Sequence, residues 1–210
     1  KHRRINFYMA TTFFYYFKSA DRKPGKGANE FISGDDDLEF QELAKIKNWR
    51  HVLSNFYVGE FGYDGLHYKT AEHAFQGRKI SIVDKIKGDL FALESMSEIA
   101  YGNGEVARKN RKLVILSHSH LVQWGTMKDK ILKDILRSKF SQVEMAKIVL
   151  LATKSAQLWH GARGIPKSRQ VELEEIRESL KEDVGDNVTA LVDVPFSKTA
   201  SRKRKAENEE

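Results

Sequence analysis

The stretch from Lys128 to Phe140 constrains this chain most. Ile131, Leu132, Ile135 and Leu136 recur at helical spacing, while Lys128, Lys133 and Arg137 fall on the opposite side. The spacing predicts a helix with one apolar face, and such a face is stable only when other elements cover it. Val143 to Leu151 and Val171 to Leu180 are expected to be helices as well, the second with Leu173, Ile176 and Leu180 in register. Upstream, Asp84 to Ser95 is expected to continue a helix. Ser97 to Ala100 starts another short one, which Tyr101-Gly102-Asn103-Gly104 must break. Glu39 to Lys47 reads as a short helix or strand. Strands are few: Thr11 to Phe17 is β-prone, and Phe56, Val58, Leu66 and Tyr68 are spaced like strand residues around Asp64-Gly65, a hairpin turn signal. The expected fold is α+β, a mainly helical single domain with a few short strands.

The residues that carry chemistry cluster just after that hairpin. In Thr70 to Ile80, at about 100° per residue, Glu72, Gln76 and Lys79 fall at i, i+4 and i+7 on one narrow helix face. Phe75, with Ala71 and Ile82, can turn a neighbouring face to the core. Thr70 is the expected N-cap, which places Glu72 in the first turn, where the helix dipole favours a negative charge. An acid, an amide and an amine together can hold a sugar and transfer a proton. The same three residues also describe a solvated polar stripe, or a Glu–Lys pair bracketing Gln76, and spacing alone leaves both readings open.

Composition removes other chemistries. The chain has 210 residues, enough for one domain with a sizeable core, and no cysteine, so disulfides, thiol nucleophiles and cysteine-containing zinc sites are excluded. No apolar run approaches the roughly 18 residues of a membrane-spanning helix, and no membrane partner is expected. Met9 to Phe17, preceded by Lys1 to Arg4, has the outline of a signal peptide but lacks a small-residue cleavage site and reads better as a strand. The first residue is not Met, so a truncated or processed product is expected. Net charge is +7, from 36 basic and 29 acidic residues, which favours phosphate-bearing partners. Part of that excess is Arg202-Lys203-Arg204-Lys205, which reads either as a nuclear-localisation-like cluster in an intracellular protein or as a solvated tail. Lys18 to Asp37, rich in Gly, Lys and Asp, reads as a long mobile loop, either a substrate lid or a disordered insertion. Asp186 to Phe196 has strand-like apolar residues. His118-x-His120 has no carboxylate at ligand spacing and is expected in a surface loop, so no metal is expected.

Several ordered motifs together resemble one family. Ser54-Asn55-Phe56, followed by Glu72-His73-x-Phe75-Gln76-x-x-Lys79, is similar to the SNF and SEHxFQxxK signature of the NADAR family, the YbiA-like "NAD and ADP-ribose" proteins. Ala100-Tyr101-Gly102, Arg108-Lys109-Asn110 and Trp124 resemble its small-residue turn and RKxW region. Leu136 to Phe140 resembles its alRxKF helix, and Leu150 to Thr153 its LLAT segment. The likeness runs from about Arg50 to Leu180. It implies a NADAR-like catalytic core over 49–182; the residue patterns place an N-terminal strand and mobile insertion over 1–48 before it, and a C-terminal extension over 183–200 and a basic and acidic tail over 201–210 after it. In bacterial members a WGDG-type loop follows LLAT, whereas this chain reads Leu158-Trp159-His160-Gly161-Ala162-Arg163-Gly164. The Asp is missing, and Arg163 or His160 is expected to take over its surface.

The resemblance implies cleavage of an N-glycosidic bond at C1 of a ribose, with ADP-ribose on guanine in DNA or RNA as the leading substrate. Such a reaction needs an acid for the departing nitrogen or a nucleophile for the sugar, and something negative beside an oxocarbenium-like centre. It also needs an aromatic and amide-rich cleft. Glu72 suits the carboxylate role. Lys79 suits a nucleophile that exchanges onto a ring-opened ribosylamine as a Schiff base. The resemblance further implies substrate contacts from Ser54, Asn55, Phe56, Tyr68, His73, Gln76, Tyr101, Gly102, Arg108, Trp124, Lys139, Trp159 and Arg163, with no cofactor. Lys128, Lys133, Arg137 and Lys139 read either as contacts to pyrophosphate or DNA phosphates or as a solvated helix face, and bland readings stand beside the others: Asn55 as a turn former, Phe56, Tyr68 and Trp124 as core, and His73 as a packed or capping histidine. Two further functions stay open. One is an N-glycosidase of ribosylated riboflavin-pathway intermediates, and the other is a non-catalytic module that binds ADP-ribose or NAD.

Overall fold

The architecture follows from two helices that each needed a close neighbour. In the computed structural model, residues 10–34, 38–161, 164 and 166–184 are described, with the backbone alone for 183 and 184. The longest element is α7 (His118–Gln142), with α8 (Glu144–Ala152) turning back from it at Val143. Ile131, Ile135, Leu136 and Phe140 are buried along one face of α7. Each contributes about 1.5–3 kcal/mol relative to exposure. α7 is longer than the apolar stripe predicts. Ser117 opens it through a reciprocal cap, its hydroxyl accepting from the His120 N–H while the Ser117 N–H donates to His120 Nδ1. His118 and His120 therefore occupy a helical turn, where a surface loop was expected.

α3 (Ala71–Ser81) packs between α7, α6 (Gly104–Lys109) and α4 (Lys85–Asp89). Thr70 caps it as expected, accepting from the His73 N–H. α3 and α4 meet backbone to backbone. A Cβ on Gly88 would lie 2.8 Å from the Gly77 carbonyl oxygen and 2.0 Å from Ser81 Oγ, so glycine is required there. The expected helix from Asp84 to Ser95 is broken. α4 ends at Asp89, and only a 3-10 turn, Leu93–Ser95, follows. The Ser95 and Ser97 hydroxyls bond the Leu90 and Ala92 carbonyls, competing with the helical ladder. α5 (Glu98–Tyr101) then leads through Gly102 into α6, which Asn103 caps.

Strands are short. β2 (Phe61–Tyr63) and β3 (Leu66–Tyr68) form the expected hairpin, with Asp64 and Gly65 both at positive φ (51° and 78°), as a type I′ turn demands. Phe56 and Val58 lie outside it, in irregular chain. The second sheet joins distant segments. β1 (Thr12–Tyr15) runs parallel to β4 (Gln157–His160), and β4 pairs antiparallel with β5 (Ser168–Arg169). Phe13 and Leu158, paired across β1 and β4, are fully buried. α9 (Val171–Val184), with Leu173, Ile176 and Leu180 buried, packs on β4, α7 and α8. The sheet also meets α1 (Gln41–Lys45) and α2 (Trp49–Val52) through Phe13, whose ring packs edge-on against Phe40 and Trp49.

The loop after β1 is built around a buried ion pair. Arg50 on α2 holds Glu30 through two bonds (2.7 and 2.6 Å) and donates to the Arg22 and Lys23 carbonyls. Both charged side chains are almost wholly buried, and losing one partner of such a pair costs about 3–5 kcal/mol. Residues 19–34 are thereby fastened to α2. The strand-like stretch 186–196 and the basic cluster Arg202 to Lys205 lie outside the described residues. No helix among the described residues is long and apolar enough to cross a membrane.

Candidate active site

The start of α3 meets the turn at residues 54–56 through the backbone: the Glu72 N–H donates to the Asn55 carbonyl (3.0 Å). The Ser54 hydroxyl accepts the Phe56 N–H (3.3 Å), which closes the turn and swings the Phe56 ring outward. α6 approaches that ring closely. A Cβ on Gly104 would lie 2.7 Å from Phe56 Cγ, so a glycine lets the helix N-terminus press on it. Arg108, one turn along α6, places its guanidinium 5.5 Å from the Phe56 ring centroid.

These parts line a cleft of about 230 Å³, together with Tyr15, Tyr16, Phe17, His160 and Gln170. Phe17 packs on Phe56 at 4.6 Å, and His160 stands edge-on to Tyr15 and Tyr16. Glu72 is the cleft's one carboxylate among the described residues. It is 8% exposed, and burial raises its pKa above the usual carboxylate range. A hydrogen bond from the Gln76 amide (2.9 Å) and the charges of Arg108 and Arg111 oppose that rise. A carboxyl so placed keeps its proton to higher pH and is suited to donating it. Burial lowers the pKa of His160, so the imidazole is neutral at pH 7.

The cleft therefore gathers Ser54, Asn55, Phe56, Glu72 and Arg108 from the residues expected at the site. Among the described residues the Asn55 side-chain amide makes no hydrogen bond, which leaves it free for a ligand. The others sit elsewhere. Gln76 touches Glu72 but does not line the cleft. His73 is fully buried, its Nε2–H donating to the Ile99 carbonyl (2.9 Å) and its Nδ1 accepting from the Thr70 hydroxyl (2.8 Å), so it joins α3 to α5. Tyr68 and Trp124 are core side chains; Trp124 packs on Phe75 at 5.0 Å. Tyr101 is exposed, and Gly102 forms the C-cap of α5. Lys79, half-buried, is seven residues beyond Glu72, about 10 Å along the helix axis at 1.5 Å per residue, and is not among the cleft-lining side chains. Arg163 lies outside the described residues.

Lys139 is fully buried, its Nζ donating to the Ser54 (2.7 Å) and Val52 (3.2 Å) carbonyls and facing the rings of Tyr57 and Phe140. Burial holds its pKa down to about 7. It supports the turn from behind and has no path to the cleft. Trp159 also points away. Residues of β4 alternate sides, and Trp159 stacks on Phe14, whose ring lines a second hollow of about 420 Å³ on the opposite face of the strand pair. Its neighbour His160 takes the cleft side. Tyr15, Tyr16, Phe17 and Gln170 went unseen in the sequence. The strand-like aromatic run was visible, but its pairing with a segment some 145 residues later was not.

No protein-family model matches the sequence, and neither does any curated protein. Among solved structures, the fold is similar to that of the E. coli protein YbiA, known from its NMR structure. The TM-score is 0.50 and the identity 20%, over 86% of this chain and 92% of that one. At that identity the likeness speaks for architecture: the chain has a YbiA-like α+β fold.

Proposed function

We propose that the chain is a NADAR-family N-glycosyl hydrolase that removes ADP-ribose from guanine bases of DNA or RNA. The observation that carries this reading is Glu72, the one carboxyl among the described residues that lines an aromatic cleft, with burial raising its pKa. The cleft is smaller than the roughly 300–1,000 Å³ typical of sites that enclose a whole small-molecule ligand. It suits a single ribose ring, with the base and the remainder of the ADP-ribose extending outside. In the reaction, the bond between ribose C1 and the base nitrogen breaks and the Glu72 carboxyl gives its proton to that nitrogen. The base leaves neutral, and the Glu72 carboxylate then faces the oxocarbenium-like carbon. Water adds at C1 and its proton returns to Glu72, which completes hydrolysis. Asn55 is suited to a ribose hydroxyl, Phe56 and Phe17 to the base or sugar face, and Arg108 to a phosphate.

Product analysis tests the reading. The protein is incubated in parallel with ADP-ribosylated guanosine, riboflavin-pathway ribosylamines and free NAD. Release of ADP-ribose and unmodified guanosine is the expected result. Cleavage of the ribosylamines alone would replace the substrate. Tight ADP-ribose binding with no product from any of the three would make the protein a binding module.

A further inference from the structure

Basic side chains on the outer helices are mostly neutralised where they stand. Lys85 pairs with Asp89 (2.6 Å), Lys130 with Asp134 (2.7 Å), Lys133 with Glu175 (2.6 Å) and Lys181 with Glu178 (2.9 Å). Lys79, Lys128, Arg137 and Lys147 stand singly without such a partner among the described residues, and one run gathers four such charges. Arg108, Lys109, Arg111 and Lys112 are all exposed, and among the described residues none pairs with a carboxylate. The nearest acid in sequence, Glu105, is taken by Lys18 (3.0 Å).

The local fold arranges these four charges. They lie on the end of α6 and the 3-10 turn Asn110–Lys112 that continues it. Three-residue spacing places Arg111 beside Arg108 and Lys112 beside Lys109. The Arg111 guanidinium donates to the Arg108 carbonyl (3.3 Å), which fixes the first of these pairs. Asn110, between them, turns inward to the Val106 carbonyl (3.0 Å), and Leu113 and Val114 pack on the core. The run begins at the cleft, since Arg108 lines it, and extends away from it over the surface. Four cations this close together, with Glu72 and Glu105 acting on them only from beyond salt-bridge contact, repel one another. They are tolerated because water screens them, and a polyanion would neutralise them better.

We propose that Arg108, Lys109, Arg111 and Lys112 seat the phosphodiester backbone of the single strand whose modified base is presented to the Glu72 cleft. The inference rests on the glycohydrolase reading for the cleft and adds where the polymer runs. The cleft admits only one sugar, so the flanking nucleotides must lie outside it, and this is the charged surface that adjoins its mouth. The exposed faces of Tyr16, Phe17 and Phe56 at the same mouth give unstacked bases a platform, the combination of aromatic and cationic groups that single strands use. A duplex would have to extrude its base first.

Binding of an unmodified, guanine-containing single-stranded oligonucleotide, followed by fluorescence anisotropy across a salt series, tests this without any turnover. The double variant K109Q/K112Q removes two exposed charges. Each backbone contact contributes about 0.7 to the log–log salt slope, so the slope is expected to fall by about 1.4, a loss of about 25-fold in affinity at 0.1 M salt. Removing equal charge elsewhere, in K128Q/R137Q, is expected to leave affinity and slope within about twofold. Equal losses in the two double variants would reduce the effect to net charge and overturn the proposal. So would an unchanged slope in K109Q/K112Q, or a loss of binding in that variant confined to anionic phospholipid vesicles. A protein that binds the oligonucleotide as expected but releases no ADP-ribose from the small nucleoside would fail the glycohydrolase reading and leave this one standing.

Discussion

Glu72 and Lys139 both carry charged groups taken almost wholly out of water, and the two residues bond adjacent carbonyls of one turn, Glu72 through its backbone and Lys139 through its ammonium. The Glu72 N–H holds the Asn55 carbonyl and the Lys139 ammonium holds that of Ser54. Neither has an oppositely charged partner in a close ion pair among the described residues. Burial moves each toward its neutral form, Glu72 upward and Lys139 down to about 7. What separates them is access. Glu72 opens onto a cleft with aromatic walls, whereas Lys139 is sealed at 0% exposure beneath the turn. A displaced pKa is therefore not in itself a mark of chemistry. It becomes one when a substrate atom can reach the group, and otherwise it records a structural cost met by hydrogen bonds.

The largest expected effect breaks the open half of this comparison. Glu72→Gln keeps the shape and removes the proton, so turnover on ADP-ribosylated guanosine is expected to fall by at least about a hundredfold, with the circular dichroism spectrum unchanged. In the proposed reaction the reactive form of Glu72 is protonated. The rate is expected to decline as pH rises through the raised pKa of Glu72. A rate that climbs over that interval would reassign Glu72 as a base.

The sealed half predicts a different signature. Lys139→Met replaces a buried cation with an apolar chain of similar length, a change that buried sites often tolerate. Between about 7 and the ordinary 10.5 the unfolded wild-type chain holds a proton on Lys139 that the folded one lacks, so stability rises with pH across that window. The slope approaches about 1.4 kcal/mol per pH unit, the value for one proton. Tyr68, pushed up to about 12, reverses the trend only at higher pH. Urea titrations at pH 7, 8 and 9 are expected to show the rise in wild type and none in Lys139→Met. Turnover in the variant is expected to fall about tenfold, because the turn carrying Asn55 loses its support. A variant as pH-dependent as wild type would remove Lys139 from this account.

How much of this was legible depended on how local the interactions were. Thr70 as a cap, Glu72 in the first turn, the Asp64-Gly65 hairpin and the apolar face of α7 are set within a few residues, and each stands where the sequence puts it. The break after Asp89 was missed although its cause is also local. The Ser95 and Ser97 hydroxyls outcompete the helix, and periodicity does not weigh side-chain bonds to backbone. Half of the cleft was out of reach for a different reason. Tyr15, Tyr16 and Phe17 meet His160 only through the parallel pairing of β1 with β4, and nothing near either strand specifies that pairing. The same holds for Glu30, whose carboxylate is explained only by Arg50.

That pairing makes the next test a contrast between neighbours. His160 faces the cleft and Trp159 the far side of the same strand. His160→Gln is expected to raise KM about three- to tenfold with kcat nearly constant, because the lost edge contacts with Tyr15 and Tyr16 shape the site without moving protons. Trp159→Phe keeps the stack on Phe14 and is expected to leave both constants within twofold. Equal effects at the two positions would mean that the strand faces are assigned wrongly.

The smallest expected effect concerns Lys79, where the helix face and the cleft give different answers. Spacing puts its amine on the Glu72 face, but two helical turns separate them and the cleft is lined by other residues. If Glu72 acts on the leaving nitrogen with water as the acceptor, Lys79→Arg retains turnover within about twofold, and borohydride added during turnover traps nothing. A Schiff-base route requires the opposite: a guanidinium is not nucleophilic at neutral pH, so the arginine variant would be dead, and reduction would leave a stable amine linking the ribose to Lys79 in wild type. Peptide mass analysis after borohydride separates the two outcomes even where rates are slow. An adduct on Lys79 would show that the long side chain reaches a sugar that has left the position beside Glu72. The open end of the helix face, and not the cleft alone, would then be part of the active site.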